Sequence, residues 1–487
     1  MQARRAAVSA VCLGLLQLAG CGGGGVSDAP SDGGPTGFTA ALTLTNPGTA
    51  ADHRFGSSIA LCDWDGDGRK DLVVGVPGAS NGNLSDAGKV LLFVQRPDGT
   101  YAATPTRTIL PTNWVGGTAG QAAEFGATVE CGDFNGDGLA DLVIGAPGDA
   151  VGAAAGAGRV YLLANNAPTH AGVTFGPYAD PNGAVAGGGF GGALAVGRVD
   201  ADAYADLAVG APFTTVAAHP GAGRVSVMTG SATLATFGAA VGIALSHATP
   251  SDDANFGAAV EIGDIDGDGA GDVIVGVPGQ VAGSGGEVRI YGHFPTLSLA
   301  RSLTVATPGV SIEFGSSLAA ADLDGDGDVD LLVGAPFGDV GTTLEAGYVV
   351  PFRNTSPASA TLVAGAVIVD RTPQGGAQFG DVVLVTGDVS GDGRPDCVVA
   401  APAATYASTA GAGTLTLFRN AGAGAFLAPG AADVYAAATP TTDGAHGAAL
   451  AASDLDNDSI PDLVVGAPGP LDAISPQPGQ VEVLHTR

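Results

Sequence analysis

The sequence predicts an all-β protein: a seven-bladed β-propeller of four-stranded antiparallel blades, its ring closed by the N-terminal strand. Three observations predict it. A nine-residue acidic loop, first seen as Asp63-Trp64-Asp65-Gly66-Asp67-Gly68-Arg69-Lys70-Asp71, recurs in seven versions along the chain. Short apolar runs flank each copy, opening on Phe-Gly and closing on Gly-Ala-Pro or a close variant. One strand-like run is spare at the start of the array and one is missing at its end.

Composition agrees. The chain has 487 residues, with 81 Gly and 30 Pro, yet 45% of it is apolar. Many short strands joined by Gly-rich turns satisfy both facts, and a repeat array fills this length as one unit. The formal net charge is −30, much of it in the repeated loops. Phosphate binding needs a basic face, so nucleic acid is excluded as a partner.

In chain order, residues 1–20 read as a signal peptide. Arg4 and Arg5 form a positive start and Ala6 to Leu18 a short apolar core. The segment ends Leu18-Ala19-Gly20-Cys21, which resembles the lipobox of bacterial lipoproteins. That resemblance implies cleavage before Cys21, lipidation of Cys21, and a lipid-anchored place in a bacterial cell envelope, at the outer membrane, periplasmic or surface-facing. An ordinary secretory signal ending near a Cys is the alternative. Residues 21–37, rich in Gly, Ser and Pro, read as a tether. No later apolar run is long enough to span a bilayer. Beyond Cys12 and Cys21 there remain Cys62, Cys131 and Cys397, read by default as small buried apolar residues. The sequence leaves a Cys62–Cys131 disulfide open.

The domain proper is residues 38–487. Phe38 to Thr45 is the spare strand. The blades then open at Phe55, Phe125, Phe190, Phe256, Phe314, Phe379 and His446, each followed by Gly. A short strand leads to the acidic loop, which starts eight residues after the Phe in most copies and nine after it in the sixth. A second strand ends in Gly-Ala-Pro or a variant, as at Gly145-Ala146-Pro147. A third, alternating apolar with other residues, opens on Gly, as in Gly158-Arg159-Val160-Tyr161-Leu162. A weaker fourth precedes the next Phe-Gly, for example Thr106 to Leu110 and Ala364 to Asp370. Seven such units need to stack to bury their faces. The chain ends after the third strand of the seventh, so Phe38 to Thr45 is expected to complete that blade and leave no open edge.

These Phe-Gly and Gly-Ala-Pro pairs around DxDxDGxxD loops resemble the FG-GAP repeats of integrin α-subunit propellers and their bacterial relatives. The resemblance runs from about residue 38 to 487. It implies one Ca²⁺ per loop, held by side chains at positions 1, 3, 5 and 9 and by the backbone carbonyl at position 7. The first loop then offers Asp63, Asp65, Asp67, Arg69 and Asp71. The second offers Asp133, Asn135, Asp137, Leu139 and Asp141; the fourth Asp264, Asp266, Asp268, Ala270 and Asp272. The fifth offers Asp322, Asp324, Asp326, Asp328 and Asp330. The sixth offers Asp388, Ser390, Asp392, Arg394 and Asp396, weakened by neutral Ser390. The seventh offers Asp454, Asp456, Asp458, Ile460 and Asp462, with Ser459 where most copies have Gly.

The third copy has Arg198 at position 1 and keeps only Asp200, Asp202 and Asp206. It is expected to be metal-free, with the guanidinium in place to pair with those carboxylates. About six structural Ca²⁺ sites are therefore expected. The residues alone support a hard cation, since alternate positions of a tight loop supply oxygen ligands. An EF-hand is excluded because position 12 of the first loop is Val74, where Glu is required. Metal-free Asp/Gly turns do not account for six loops that keep their oxygen positions in step, and close carboxylates repel. Position 2 is always apolar, and Trp64 reads as packing.

The resemblance places the metal hairpins on one face and a protein or glycan ligand on the other. The latter face would be built by 78–87, 148–157, 213–222 and 337–346, with Pro111 to Glu124 and Trp114. No nucleophile or acid–base constellation stands out among the scattered His residues, so the chain is not expected to be an enzyme. The function expected is a calcium-stabilised, membrane-anchored adhesion or interaction module. An envelope hydrolase or lyase acting on polysaccharide, and a structural component of an envelope complex, are the alternatives. Oligomeric state is not legible.

Overall fold

A Phe-Gly pair turns the chain into the inner strand of every blade but the seventh, where His446 takes the Phe place. The structure, a computed structural model, describes residues 11–12, 38–47 and 54–486, except 115–116, 118–119, 167–168, 171, 201, 235–236, 238–242, 280–284, 293, 306–311, 357–360, 421–432 and 470–478. Cys21 and the tether lie outside the described residues. Seven separate sheets are present among the described residues, and the first six add their strands antiparallel in chain order. Blade 1 is Ser58–Cys62, Asp71–Val76, Lys89–Phe93 and Arg107–Ile109, from inside to outside. The other inner strands are Thr128–Gly132, Ala193–Gly197, Ala259–Gly263, Leu318–Ala321, Val382–Gly387 and Ala449–Ser453. They touch one another around a closed ring. Val11–Cys12 lies parallel against Leu450 and Ala451 at the inner edge of blade 7.

The ring closes as the strand count requires. Phe38–Thr45 pairs antiparallel with Gln480–Thr486 and becomes the outer strand of blade 7. Phe38 lies opposite Thr486, and its amide donates to the Tyr435 hydroxyl (3.0 Å) of blade 6.

Blades stack face to face, which explains the continuous apolar second strands. All seven are buried at every residue, from Asp71–Val76 to Asp462–Ala467. The six repeat Phe side chains are fully buried, each contributing about 2–3 kcal/mol by leaving water. His446 is buried as well, and its Nε2 sits 3.2 Å from Glu482 Oε2, a polar bond where the other blades have a ring–ring or aliphatic contact.

The Gly of the Gly-Ala-Pro end lets neighbouring blades approach. A Cβ on Gly145 would stand 2.2 Å from the Gly191 carbonyl oxygen of the next blade. Thr128 Oγ1 donates to that same oxygen (2.8 Å), as Ser58 and Ser317 do to Gly126 and Gly380 (2.9 and 2.7 Å). The Gly opening the third strand backs onto the next Phe: Gly158 bridges to Phe190 in parallel.

Two local departures have physical causes. The extra residue between Phe379 and the sixth loop is absorbed as a bulge between Val385 and Gly387. The outer strand of blade 5 is Leu362–Ala364, not the expected Ala364 to Asp370. Its neighbour carries Pro351, which has no N–H to donate, so the ladder stops at Ala364 and only Ile368 re-pairs, with Val349.

Cys62 and Cys131 are disulfide-bonded, their Cα atoms 6.2 Å apart, joining the inner strands of blades 1 and 2 just before their acidic loops. Cys397 is free and buried.

Candidate metal centres

All seven acidic loops join an inner strand to a second strand, so they lie on one face of the disc. The aspartate at position 1 organises the turn. Asp63 Oδ1 accepts from the amide of Asp67 (3.0 Å) and Oδ2 from that of Gly68 (2.9 Å). The pattern returns at Asp133, Asp264, Asp322, Asp388 and Asp454. Gly66 and Gly68 take positive φ, 73° and 86°. In the seventh loop Asn457 and Ser459 hold the same conformation at 64° and 73°, which costs non-Gly residues about 1–2 kcal/mol apiece.

The aspartate at position 9 is buried in every copy. It ties the loop to its own blade. Asp141 Oδ2 accepts from the Phe134 amide (3.0 Å) and Oδ1 from the Asn165 amide just past the third strand (2.7 Å). Asp71, Asp206, Asp330, Asp396 and Asp462 repeat both bonds. Burial is the first cause that lifts these carboxyls, Asp71 and Asp206 to about 6 and Asp141, Asp272 and Asp330 to about 7. For Asp272 the charge of Asp266 is the next cause. A buried carboxyl beside others of like charge is a site that gains from a cation.

Carboxylate oxygens of Asp63, Asp65 and Asp71 lie within 4.8 Å of one another, as do those of Asp264, Asp266 and Asp272, and of Asp322, Asp324 and Asp330. The donor set is oxygen throughout, with a fifth oxygen expected from the backbone at Arg69, Leu139, Ala270, Asp328, Arg394 or Ile460. These residues fit a calcium ion, which takes carboxylate and carbonyl oxygens in a flexible shell. In the sixth loop the Ser390 hydroxyl lies between Asp388 (3.5 Å) and Asp396 (3.4 Å), so its oxygen does face the cradle.

One cation does not stand where the sequence placed it, and two further basic side chains approach other loops. Arg198 is exposed, and no ion pair joins it to Asp200, Asp202 or Asp206 among the described residues. Its charge stays in water, and the three carboxylates still gather within 4.8 Å. In the fifth loop Arg353, from the third strand, contacts Asp324 and reaches Asp326 at 3.2 Å. In the seventh, His485 Nδ1 lies 3.1 Å from Asp462 and 3.4 Å from Asp456.

Sequence reasoning missed a set of amide side chains that link neighbouring loops. Asn165 Nδ2 donates to the Trp64 carbonyl (2.5 Å) and Asn354 Nδ2 to that of Ile265 (2.7 Å). Asn420 reaches Leu323 in the same way, and Gln95 Nε2 reaches Leu455 (2.9 Å), across the ring closure. Each acceptor is position 2 of the preceding blade's loop. The available signal was an Asn or Gln 24 residues after the last loop aspartate in four copies.

Both Trp residues are structural. Trp64 is buried, its Nε1 donating to the His170 carbonyl (3.1 Å). Trp114, expected on the face opposite the metals, is buried too. Its indole N–H is held by the Leu162 and Phe175 carbonyls (3.1 Å each), and its ring packs edge-on against Phe125 and Tyr161. What that face does expose is Phe213, Leu344 and Tyr406, one in each second-to-third connection of blades 3, 5 and 6. No helix among the described residues is long and apolar enough to cross a membrane.

The model of the FG-GAP repeat matches residues 55–93, 125–163, 190–228 and 314–350, which are blades 1, 2, 3 and 5. That of the FG-GAP-like repeat matches 388–465. Integrin alpha-PS2 of Drosophila melanogaster is 32% identical over 232 residues, 45% of this chain and 16% of that protein. Integrin alpha-IIb of Mus musculus is 36% identical over 169 residues, 32% of this chain and 15% of that protein. Phosphatidylinositol-glycan-specific phospholipase D of Mus musculus is 34% identical over 94 residues, 19% of this chain and 10% of that protein. The matched part thus spans about a sixth or less of each of these relatives. Matched repeats, integrin relatives and seven closed blades agree, and the chain is an FG-GAP-repeat β-propeller of the integrin-α-like kind.

Proposed function

We propose that this propeller is a calcium-stabilised adhesion or interaction module that engages a protein or glycan on the face opposite its metal loops. The observation that carries the reading is the division of labour between the faces. One face repeats a single carboxylate cradle around the ring, held from behind by buried aspartates and by amide links between loops. The other exposes Phe213, Leu344 and Tyr406 on tight loops over a rigid scaffold. Exposed apolar side chains on rigid loops suit recognition.

Calcium would be held by loops 1, 2, 4, 5, 6 and 7. Its chemistry there is neutralisation and cross-linking of carboxylates that otherwise repel; the third loop lacks the first ligand. A lipid on Cys21 would fix the module to an envelope membrane through residues 21–37. Ring closure supports an outward-facing pose. Phe38 enters the disc opposite Thr486, whose amide is bonded to Asp462 of the seventh loop (2.9 Å), so the chain joins the disc on its metal side.

The test is a screen of the mature chain against glycan arrays and envelope protein fractions, repeated with Phe213→Asp, Leu344→Asp and Tyr406→Asp. Binding is expected to fall at least tenfold with these changes and to survive changes on the loop face such as Arg69→Ala. The reverse pattern would refute the assignment of faces. Cys21→Ser is expected to move the protein from the membrane to the soluble fraction; membrane retention would refute the anchor.

A further inference from the structure

One position at the end of each third strand, or one residue past it, lies on the side of the acidic loop of its own blade. It follows the residue paired with position 10 of the loop repeat, and it is Val94, Ala164, Thr229, Gly292, Arg353, Arg419 and His485 in blades 1 to 7. Its proximity to the cradle is direct in blade 4, where a Cβ on Gly292 would come within 2.5 Å of Asp272 Oδ1. In blade 5 the position carries a permanent cation. Arg353 pairs with Asp324 through Nε and with Asp326 through Nη2 (3.2 Å), the aspartates of loop positions 3 and 5. By contrast, no ion pair reaches Asp133, Asp137 or Asp141 among the described residues of the second loop, above Ala164. Arg419 of blade 6 pairs with Asp433 on the outer strand. Arg69 in the first loop pairs with Asp67 from within its own turn, and its charge also acts on Asp65.

We infer that Arg353 is a built-in counter-cation of the fifth loop that competes with calcium for Asp324 and Asp326 and makes this the weak site of the ring. The inference rests on the calcium reading above. A guanidinium stays charged at any physiological pH, and its planar fork matches two carboxylate oxygens at once. Calcium needs those same carboxylates, so binding has to displace Arg353 and then tolerate a positive neighbour. The side chain is half exposed, which leaves it free to swing into water when displaced. A +2 and a +1 charge about 5 Å apart in a largely aqueous setting repel enough to weaken binding on the order of tenfold. The apo loop is meanwhile spared part of its own repulsion. The fifth loop is also the most acidic, with Asp328 as a fifth carboxylate, and Arg353 offsets that excess. The result is a disc whose loops fill in two stages as calcium rises, with blade 5 last.

The test is calcium titration calorimetry on the metal-stripped mature chain, comparing wild type with Arg353→Gln and Arg353→Lys. Asp324→Asn serves to identify which step belongs to the fifth loop. Wild type is expected to show a weak step that Asp324→Asn removes. Arg353→Gln is expected to tighten that step about tenfold, and Arg353→Lys, which keeps the charge but loses the fork, to fall between. Melting at a calcium concentration that half-fills the weak step supplies a second readout, with Arg353→Gln melting higher than wild type. Identical isotherms for wild type and Arg353→Gln, or a weaker step in the variant, would overturn the inference while leaving calcium binding intact. No calcium uptake by either protein would overturn the calcium reading itself and this inference with it.

Discussion

Asp206 belongs to the loop with the missing first ligand, yet it is buried like its six counterparts and makes the same two backbone hydrogen bonds as Asp141, at 2.8 and 2.9 Å. The last loop aspartate therefore has a structural task that precedes any metal. Hydrogen bonds to a charged group contribute about 1.5–3 kcal/mol each, so Asp206→Ala is expected to destabilise the protein by roughly 2–4 kcal/mol with calcium absent. Equilibrium urea unfolding in a chelator measures it. The same aspartates set a pH dependence. Burial raises Asp141, Asp272 and Asp330 to about 7, from an unfolded value near 4. A carboxyl raised on folding contributes stability that is complete below about pH 4 and is lost as pH climbs through about 7. The chelated protein is thus expected to melt lower at pH 8 than at pH 5, and calcium to restore the loss at pH 8. Equal melting points at the two pH values in chelator would contradict this. At this scale the sequence spoke plainly about ligand chemistry, because oxygen donors at fixed spacing are a local pattern. It was silent about the second bond of Asp141, because the partner amide of Asn165 lies just past another strand. It misplaced Arg198, which stands inside a loop but faces water, and was silent about Arg353, which lies 23 residues past Asp330 and reaches the cradle.

Blades meet through glycine, and the fit leaves no room for a methyl group. A Cβ on Gly145 would overlap both the Gly191 carbonyl and Thr128 Oγ1, at 2.2 and 2.1 Å. Gly145→Ala is expected to cost at least about 3 kcal/mol, because the obstacle on one side is backbone, and a fall in the urea midpoint would register it. The Cys62–Cys131 bond joins a different pair of blades, 1 and 2, across 69 residues of sequence. Reduction, or Cys131→Ser, is expected to lower stability by about 2–4 kcal/mol. Melting with and without reductant checks it, and the Cys131→Ser protein should no longer respond. Strand order, the inner and second strands and the spacing of blades were legible because period, turn residues and repeat all agreed. The outer strands were not. They are short and half exposed, so apolar pattern is weak there, and in blade 5 a proline on the neighbouring strand decided where pairing stopped.

The ring as a whole depends on one non-local pairing. Phe38–Thr45 supplies the outer strand of blade 7, and the contact of Gln95 with Leu455 joins blade 1 to blade 7 along the metal face. Removing residues 38–45 is expected to bare the edge of Gln480–Thr486 and to yield a protein that self-associates; light scattering and a lowered melting point report it. Closure was predictable by counting strands, since a ring has to end where it began. Its orientation was not, because only paired register says which end of the strand lies by the loops. That register carries a mechanical consequence. The strand runs from the metal side at Phe38 to the opposite side at Thr45, antiparallel to Gln480–Thr486. A pull on residue 38 directed away from the metal face acts along the strand, at right angles to its ladder of hydrogen bonds. The load falls on the whole ladder in shear instead of opening it one bond at a time, so the clasp that shuts the ring is also placed to withstand tension applied at residue 38.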